Sequence, residues 1–496
     1  MGKSLLKSDL FFLLLLAAAK LVLHLLTNHN YGFHRDELAM LYDARHLAWG
    51  YAAYPPITPF LGHLELALFG PSLVGFRFLS ALAQAIVMVL AGLIAKELGG
   101  SRRAQALAAL GAGIGILTLI QGALFQYVAF DFLWVVLLAY FTLRLLKTDN
   151  PRWWIGMGIT IGLGMMTRYT MAVHIVGLIL AVLLTPARKY LKSPWLWAGA
   201  AIAFVIFLPN LIWQLQNGFI SLEFQRVIHA RDIAIGRASG FLPEQFLMPN
   251  PFMLPFWVGG LIFYLRDARY RALGYLSLLP VILFFLLQGR GYYPAPVYVS
   301  LIAAGMNMFD SKLSTLPHKS ARRSLIQNSI FISLGLIIAG ALTLPLAPIN
   351  SPWWNLTAKV HDNFTEEIGW PDLTEQVAAV YHALPPEEQP RTAVLAGNYG
   401  EAGAFALYGT DYGLPSLISP ANSFWFQGPP TEDLDIVIVV GYRQETAEAY
   451  FLSCKPAGHI TNAYEIPNEE YGGEILLCKG LRYPWMEMWG KMQRFM

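Results

Sequence analysis

Charged residues are scarce in this chain of 496 residues. Asp, Glu, Lys and Arg make up 14% of it, against about a quarter in soluble globular proteins. Hydrophobic residues make up 55%, and the mean hydropathy is +0.46. This composition excludes a soluble protein of this length and predicts a membrane protein. The formal net charge is only +3 and the basic residues form short clusters, so nucleic acid is not an expected partner.

Cysteine is nearly absent, since only Cys454 and Cys478 occur. Two interpretations stay open for them: a disulfide, if this part of the chain is extracytoplasmic, or two buried free thiols. The sequence also lacks internal repeats and low-complexity tracts. The glycine-rich residues 397–409 lack the G-x-G-x-x-G spacing and its following acidic residue, so they do not predict a nucleotide-binding site.

Long apolar runs are the main feature that is present. A transmembrane helix needs about 20 mostly apolar residues, and eleven segments approach this length. They lie near residues 8–28, 72–95, 104–121, 124–143, 153–167, 170–187, 195–213, 246–265, 272–288, 294–309 and 325–347. The first run contains Lys20 and no small-residue cleavage site, so we interpret it as a retained helix rather than a signal peptide. A break at Thr167-Arg168-Tyr169 predicts that 153–167 and 170–187 form a hairpin.

The distribution of Lys and Arg predicts the orientation. With a cytoplasmic N-terminus, the inner connections hold eighteen of these residues, Lys3 and Lys7 among them, and the outer loops hold seven. An excess of basic residues is typical of cytoplasmic connections. Eleven spans then place the C-terminal part outside, together with the loops 29–71 and 214–245. We predict a transmembrane domain of residues 1–347 and an extracytoplasmic soluble α/β domain of residues 348–496.

The C-terminal part has the alternating pattern of an α/β domain. Strands are predicted near 392–396, 435–440, 457–463 and 474–478, and helices near 372–383, 400–408 and 443–451. A sugar- or acceptor-binding surface is one interpretation of Asn398, Tyr399, Glu401 and the aromatic-rich residues 422–430. A packed core with a surface loop is the favoured interpretation of these residues.

Carboxylates next to the apolar runs are candidate functional groups. Residues 31–50, YGFHRDELAMLYDARHLAWG, follow the first run and contain Asp36 and Glu37. Neighbouring helical residues point about 100° apart, so these two are expected to differ in role; a helix that begins at Asp36 and is capped by one of them is the alternative. Asp131 lies about 10 Å inside the outer end of an otherwise apolar span. A charge at that depth costs about 2.5–3.5 kcal/mol, which favours a functional role over a structural one.

Cationic side chains are predicted on the same outer face. Arg168 and Arg290 lie in short connections with little else to solvate them, which favours binding of a lipid phosphate. The loop 214–245 adds basic residues, unless it is an ordinary solvated amphipathic loop. The candidate phosphate-binding residues are Arg168, Arg226, Arg231, Arg290, Tyr292 and Tyr293, although the two tyrosines equally suit an interfacial aromatic belt.

Such a set of groups suits chemistry on a lipid-linked phosphate. A phosphomonoester has a second pKa near 6, so a polyprenyl phosphate leaves a sugar C1 without an acid catalyst. The reaction then requires a base for the acceptor hydroxyl, for which Asp36 is suited, and positive charge for the departing phosphate from arginine or a divalent metal ion. Glu223 and His229 lie on one face of a predicted helix and are candidate metal ligands, but two ligands are too few to define a site.

Seven motifs occur in an order that resembles a known family. They are H-R-D-E-L at 34–38, Y-P-P-I-T-P-F-L at 54–61, F-G-P-S-L-V-G-F-R-F-L-S at 69–80, F-D at 130–131, P-N-L-I-W-Q at 209–214, G-R-G-Y-Y-P-A-P at 289–296 and A-G-N-Y-G-E-A-G-A at 396–404. Together they resemble the bacterial members of the protein O-mannosyltransferase and aminoarabinose transferase superfamily. These are membrane glycosyltransferases of the GT-C type that use polyprenyl-phosphate sugars.

The resemblance implies a GT-C-like polytopic α-helical membrane protein with about eleven transmembrane helices and a C-terminal α/β domain. It implies transfer of a hexose or pentose, with inversion, from a polyprenyl-phosphate carrier to a lipid, glycan or protein acceptor at the outer face of a bacterial inner membrane. Asp36 would be the catalytic acidic residue, Glu37 its neighbour and Asp131 the second acidic residue, with Arg77 packed against their loop. Several relatives carry an acidic, His or Lys residue just before Pro55-Pro56, where this chain has Ala52-Ala53-Tyr54.

Two other functions remain as alternatives. In a transporter or flippase of a lipid-linked substrate, Asp131 and Lys20 would lie on a translocation path. No inverted repeat or pair of broken apolar helices in the sequence favours this function. A catalytically inactive assembly or sensor subunit is the other alternative, and the presence of Asp36, Glu37 and Asp131 together argues against it.

Overall fold

The computed structural model describes residues 8–430 and 434–496. Lys3 and Lys7, which entered the orientation argument, lie outside the described residues. Each of the eleven predicted apolar ranges contains a helix. These helices are Asp9–Thr27, Phe78–Glu97, Arg102–Gly113 followed by Ile116–Ile120, Tyr127–Thr148, Trp153–Met165, Met171–Leu183, Pro194–Gln216, Leu254–Arg266, Arg271–Leu286, Val297–Thr315 and His318–Thr343.

Length and composition identify fewer membrane spans than the eleven predicted. Within the described residues, five helices are long and apolar enough to cross a membrane, or up to seven if two bent helix pairs each count as one span. Trp153–Met165 and Arg271–Leu286 are apolar but shorter. They are separate helices packed in the bundle, and the first is separated from Met171–Leu183 at the predicted break. The protein is therefore polytopic, and the number eleven stays a prediction.

The segment after the first helix folds as a short helix, Arg35–Arg45, because its ends are capped locally. The N-cap is His34, whose Nδ1 accepts a hydrogen bond of 3.1 Å from the backbone N–H of Asp36. The Glu37 carboxylate accepts one of 2.9 Å from the backbone N–H of His34. This reciprocal capping box confirms the alternative of a short helix capped by one of the two carboxylates, which is Glu37, although the helix begins at Arg35 and not at Asp36. The carboxylate of Asp36 is not used for capping.

Shorter elements connect the long helices of the bundle. The loop 29–71 also contains Ile57–Phe69, and Leu73–Phe76 follows it. The loop 214–245 contains the helix Ile220–Ala234, the 3-10 turn Arg237–Gly240 and the start of Phe241–Leu247. Further 3-10 turns are Pro186–Lys192, Pro251–Met253, Asp362–Glu367, Gln389–Arg391 and Asn422–Gln427.

The C-terminal segment contains a five-stranded mixed sheet. In sheet order the strands are Leu417–Ile418, Thr392–Ala396, Ile436–Val440, Glu474–Leu481 and Phe451–His459. The first three pair in parallel and the last two pair antiparallel with their neighbours. The helices of this segment are Pro352–Val360, Trp370–His382, Tyr399–Tyr408, Gln444–Ala447 and Trp485–Met492.

Cys454 and Cys478 form a disulfide bond between neighbouring antiparallel strands. They are directly paired in the strand register, and both are at most 4% exposed. The strand predicted at 457–463 was wrong in its bounds, because the structure pairs Phe451–His459 with Glu474–Leu481 around the two cysteines. Of the two interpretations of the cysteines, the structure shows the disulfide.

Candidate active site

A cavity of about 740 Å³ lies where the outer loops meet the C-terminal segment. Ligand sites are commonly clefts of about 300–1,000 Å³. Its wall is formed by the helices Arg35–Arg45 and Ile220–Ala234, the connections around residues 168 and 290, and residues near 362, 399 and 423. Six of the residues predicted from the sequence line it: Asp36, Arg168, Arg231, Arg290, Tyr292 and Tyr293.

Asp36 presents its carboxylate to this cavity. The side chain is 36% exposed and lies in the first turn of Arg35–Arg45. Its Oδ2 accepts a hydrogen bond of 2.8 Å from Gln126 Nε2, and its Oδ1 accepts one of 2.8 Å from the hydroxyl of Tyr399. The Nδ1 of His34 lies 4.0 Å from Oδ2 and accepts a hydrogen bond from the Asp36 backbone N–H. Two hydrogen bonds thus fix the orientation of the Asp36 carboxylate, and the side chain remains accessible to a ligand in the cavity.

Glu37 has a different environment, although it is the next residue. Its side chain is fully buried and pairs in bidentate fashion with Arg77, at 2.8 Å from Nε and 2.6 Å from Nη2. The backbone N–H groups of Phe125 and His34 donate to the same two oxygens, at 2.8 Å and 2.9 Å. Each carboxylate oxygen therefore accepts two hydrogen bonds. Glu37 lies outside the cavity wall, and four hydrogen bonds from three residues occupy its carboxylate.

Asp131 lies behind Arg168 and not in the cavity wall. It is 2% exposed, and its Oδ2 lies 3.7 Å from Arg168 Nη1 and accepts from the Thr170 hydroxyl at 3.3 Å. The guanidinium of Arg168 lies over the rings of Tyr127 and Tyr293, 4.9 Å and 4.5 Å from their centroids. Asp131 thus orients a cation, and Arg168 presents that cation to the cavity between aromatic faces.

A second group of cations surrounds Asp232. Arg290 pairs with its carboxylate in bidentate fashion, at 2.6 Å from Nε and 3.1 Å from Nη2. Arg237 Nη1 lies 3.7 Å and Arg231 Nε 4.0 Å from the same carboxylate. Three arginines thus share Asp232, and the group keeps excess positive charge even when Glu244 on the same wall is counted. Arg237 was not among the residues predicted from the sequence.

The structure does not bring Glu223, Arg226 and His229 to the cavity. They share one face of Ile220–Ala234, as predicted, but that face is exposed, and the side chain of Arg226 is 81% exposed. The opposite face supplies Phe224, Ile228 and Arg231 to the cavity, since these positions follow the helical repeat of about 3.6 residues. Arg226 therefore lies outside this cavity, and its phosphate-binding role stays a prediction without support from its position.

The metal hypothesis for His229 and Glu223 does not fit the geometry either. The Glu223 carboxylate pairs with Arg226 at 3.7 Å, so a cation already faces it. Across residues 8–430 and 434–496, no group of three or more His, Cys, Asp or Glu side chains is arranged to hold a metal ion.

Sequence reasoning missed the buried pair formed by Asp43 and Tyr54. Both line the cavity, and the Tyr54 hydroxyl donates to Asp43 Oδ2 at 2.5 Å. Burial raises the pKa of Asp43 more than the hydrogen bonds from Tyr54 and Ser423 lower it, so that its pKa is about 7. The spacing of seven residues between Asp36 and Asp43 could have revealed Asp43, because residues seven apart in one helix lie on the same face.

Comparison with known proteins identifies the fold. ArnT from Cupriavidus metallidurans in the apo state superposes with a TM-score of 0.59 over 94% of this chain and 97% of that chain, at 14% identity. The structure of the same protein bound to undecaprenyl phosphate gives a TM-score of 0.56 over 94% and 98% of the two chains, also at 14% identity. The chain has the fold of a GT-C-type membrane glycosyltransferase. This finding confirms the GT-C-like fold that the order of the motifs implied.

Sequence comparisons find similarity to named glycosyltransferases over part of the chain. Residues 53–213 match the dolichyl-phosphate-mannose-protein mannosyltransferase family. The lipopolysaccharide core galacturonosyltransferase RgtB of Rhizobium johnstonii is 28% identical over 221 residues, 42% of this chain and 44% of that protein. The lipid A galacturonosyltransferase RgtD of the same organism is 32% identical over 163 residues, 32% of this chain and 34% of that protein. The chain thus aligns with less than half the length of these relatives.

Proposed function

We propose that the protein is a glycosyltransferase that moves one sugar from a polyprenyl-phosphate carrier to an acceptor in the cell envelope. The observation that carries this proposal is the cavity wall, which combines the half-exposed carboxylate of Asp36 with Arg168, Arg231 and Arg290. The ArnT neighbour bound to undecaprenyl phosphate supports a polyprenyl carrier. The relatives that act on lipopolysaccharide core and lipid A support an envelope glycolipid as acceptor.

In the proposed reaction Asp36 is the general base. Its carboxylate takes the proton of an acceptor hydroxyl while the oxygen attacks C1 of the sugar, and the bond from C1 to the phosphate oxygen breaks. The polyprenyl phosphate leaves with the electron pair of that bond. Arg168 and the arginines around Asp232 stabilise the developing charge, since donors fixed before the reaction need no reorganisation during it.

A single displacement with inversion is the course that the positions of the carboxylates favour. A double displacement requires a second carboxylate as nucleophile. Glu37 is enclosed by Arg77 and two backbone N–H groups, and Asp131 lies behind Arg168. Asp43 also lines the cavity, but its Oδ2 accepts a hydrogen bond from the Tyr54 hydroxyl, so the positions favour Asp36 as the base.

We further propose that the cavity lies on the extracytoplasmic side of a bacterial inner membrane, with the N-terminus in the cytoplasm. The outer loops and the C-terminal segment contribute to one cavity, so they share one side of the membrane. The disulfide between Cys454 and Cys478 favours an oxidising compartment for that side. Residues 348–496 would form the extracytoplasmic domain, and residues 1–347 the transmembrane domain.

Reconstitution of the purified protein tests the proposal against a flippase. The protein is placed in vesicles with polyprenyl-phosphate sugars extracted from cells that lack it, together with lipopolysaccharide from the same cells. We expect free polyprenyl phosphate and one added sugar on the acceptor, both measured by mass spectrometry, without a transmembrane gradient. Movement of the intact lipid-linked sugar between leaflets, with no bond broken, would support the flippase instead.

Substitution Arg168→Lys is expected to weaken binding of undecaprenyl phosphate about tenfold. A lysine keeps the charge, but it lacks the planar group that lies over Tyr127 and Tyr293, and hydrogen bonds to charged groups contribute about 1.5–3 kcal/mol. The measurement is a titration of undecaprenyl phosphate into the protein in nanodiscs. Arg226→Lys, on the exposed face of Ile220–Ala234, is the matched control and should bind as the unmodified protein does. Equal affinity for both variants would contradict a phosphate role for Arg168.

A further inference from the structure

The C-terminal segment reaches the candidate base through one side chain. The hydroxyl of Tyr399 donates a hydrogen bond of 2.8 Å to Asp36 Oδ1, across 363 residues of sequence. Tyr399 lines the same cavity. Burial raises the pKa of Tyr399 well above its usual value, so the phenol keeps its proton and acts as a donor.

A local capping box fixes the start of the helix at Tyr399. The helix Tyr399–Tyr408 is capped by Asn398, whose side chain accepts from the backbone N–H of Glu401 at 2.9 Å. The Glu401 carboxylate accepts in return from the backbone N–H groups of Asn398 and Gly397, at 3.1 Å and 2.9 Å. This capping box places Tyr399 at the first helical position, directly after the strand Thr392–Ala396 and its turn.

Two glycines then allow this helix to approach the helix that carries Asp36. A Cβ at position 403 would lie 2.7 Å from both the Cβ and the backbone carbon of Leu38. A Cβ at position 400 would lie 2.8 Å from the Trp370 ring and 3.1 Å from the Cβ of Arg35. Side chains at these positions would separate the two helices. The G-N-Y-G-E-A-G sequence of residues 397–403 thus combines a cap, a hydroxyl donor and two close helix contacts.

The Arg35 side chain forms a second contact between the helix Arg35–Arg45 and the C-terminal segment, next to Tyr399. Its guanidinium lies 4.8 Å from the centroid of the Tyr399 ring and pairs with Glu366 at 3.5 Å and with Glu469. Both glutamates belong to the C-terminal segment and line the cavity. Arg35 therefore holds the Tyr399 ring on one side while the Tyr399 hydroxyl contacts Asp36.

We infer that Tyr399 is a positioning residue that orients the Asp36 carboxylate, so that the active site is complete only when the C-terminal segment is docked. Gln126 holds Oδ2 from the membrane bundle, and Tyr399 holds Oδ1 from the opposite side. Two donors on different oxygens prevent the carboxylate from rotating and direct its remaining lone pairs to the cavity. This inference rests on the proposed function, in which Asp36 is the base.

Tyr399→Phe removes only the hydroxyl and tests the inference. With the full-length protein in nanodiscs and the lipid-linked donor and lipopolysaccharide described above, we expect kcat to fall about tenfold or more, because small misplacements of a catalytic group are costly. The KM values for donor and acceptor and the thermal midpoint should stay within error of the unmodified protein. Tyr408→Phe, at the far end of the same helix and outside the cavity wall, is the control and should retain full kcat.

Three outcomes would decide against the inference or its premise. A kcat within twofold of the unmodified protein would exclude a positioning role for Tyr399. A lowered thermal midpoint together with raised KM values would assign Tyr399 to packing instead. If the unmodified protein itself transferred no sugar and released no polyprenyl phosphate, the proposed function would fail, which is a different result from either of the others.

Discussion

Asp36→Asn is expected to lower the rate of sugar transfer by about a thousandfold. A positioned general base contributes about 10²–10⁴-fold, and an amide of the same shape cannot accept the acceptor proton. The substituted side chain keeps the size of Asp36, and its oxygen can still accept a hydrogen bond from Gln126 or Tyr399. The measurement is the rate of polyprenyl phosphate release and of sugar gain on lipopolysaccharide in reconstituted vesicles.

Two further measurements separate loss of chemistry from loss of structure in this variant. Binding of undecaprenyl phosphate and the thermal midpoint should be close to those of the unmodified protein, since Arg168 and the arginines around Asp232 are untouched. Asp411→Asn, at an exposed turn of the C-terminal segment, is the matched control and should transfer at the normal rate. Full transfer by the Asp36 variant would remove this residue as the base.

The positions of the membrane helices were largely predictable because apolar length is a local property of the sequence. Each predicted range contains a helix, although the last one begins at His318 and ends at Thr343, earlier than the predicted 325–347. The difference arises because its first turns are polar and helical, so hydropathy alone does not mark their start. Bent pairs such as Met171–Leu183 with Pro186–Lys192 also depend on packing that periodicity does not report.

The sequence predicted those features of the candidate site that depend only on which side of the membrane a loop lies. Placing Asp36, Arg168, Arg231 and Arg290 on one side of the membrane was enough to bring them to one cavity. The orientation of helical faces was not predictable in the same way. Arg226 and Arg231 lie in the same helix, and only the packing of Phe224 and Ile228 decides which of the two arginines faces inward.

Contacts between residues far apart in the sequence could not be predicted. The hydrogen bond from Tyr399 to Asp36 and the ion pair between Arg77 and Glu37 join residues 363 and 40 positions apart. The capping role of His34 was only half present in the local sequence, because Glu37 stands three positions after it but histidine is not one of the usual capping residues. The two-residue strand Leu417–Ile418 was too short to leave an alternating pattern.

Glu37→Gln is expected to destabilise the protein by about 3–5 kcal/mol. Removing one partner of a buried ion pair leaves a poorly compensated charge, here on Arg77, which has no exposed surface and retains the Glu367 carboxyl at 3.7 Å, whose pKa burial raises to about 8. The amide nitrogen would also replace one of the two oxygens, so it would place a donor against the backbone N–H group of either Phe125 or His34, which now donate to the carboxylate. The measurement is the thermal midpoint and the yield of folded protein in nanodiscs.

The double variant Glu37→Gln with Arg77→Met decides between a structural and a chemical role for Glu37. Replacing both charged partners removes the uncompensated charge, so we expect it to recover part of the stability that either single variant loses. Glu367 lies 3.7 Å from Arg77, and burial raises its pKa to about 8, so its carboxyl can stay protonated when the arginine is gone. Recovered stability with measurable transfer would show that Glu37 supports the fold while Asp36 performs the chemistry. A Glu37→Gln protein that is fully stable but inactive would assign Glu37 to the reaction.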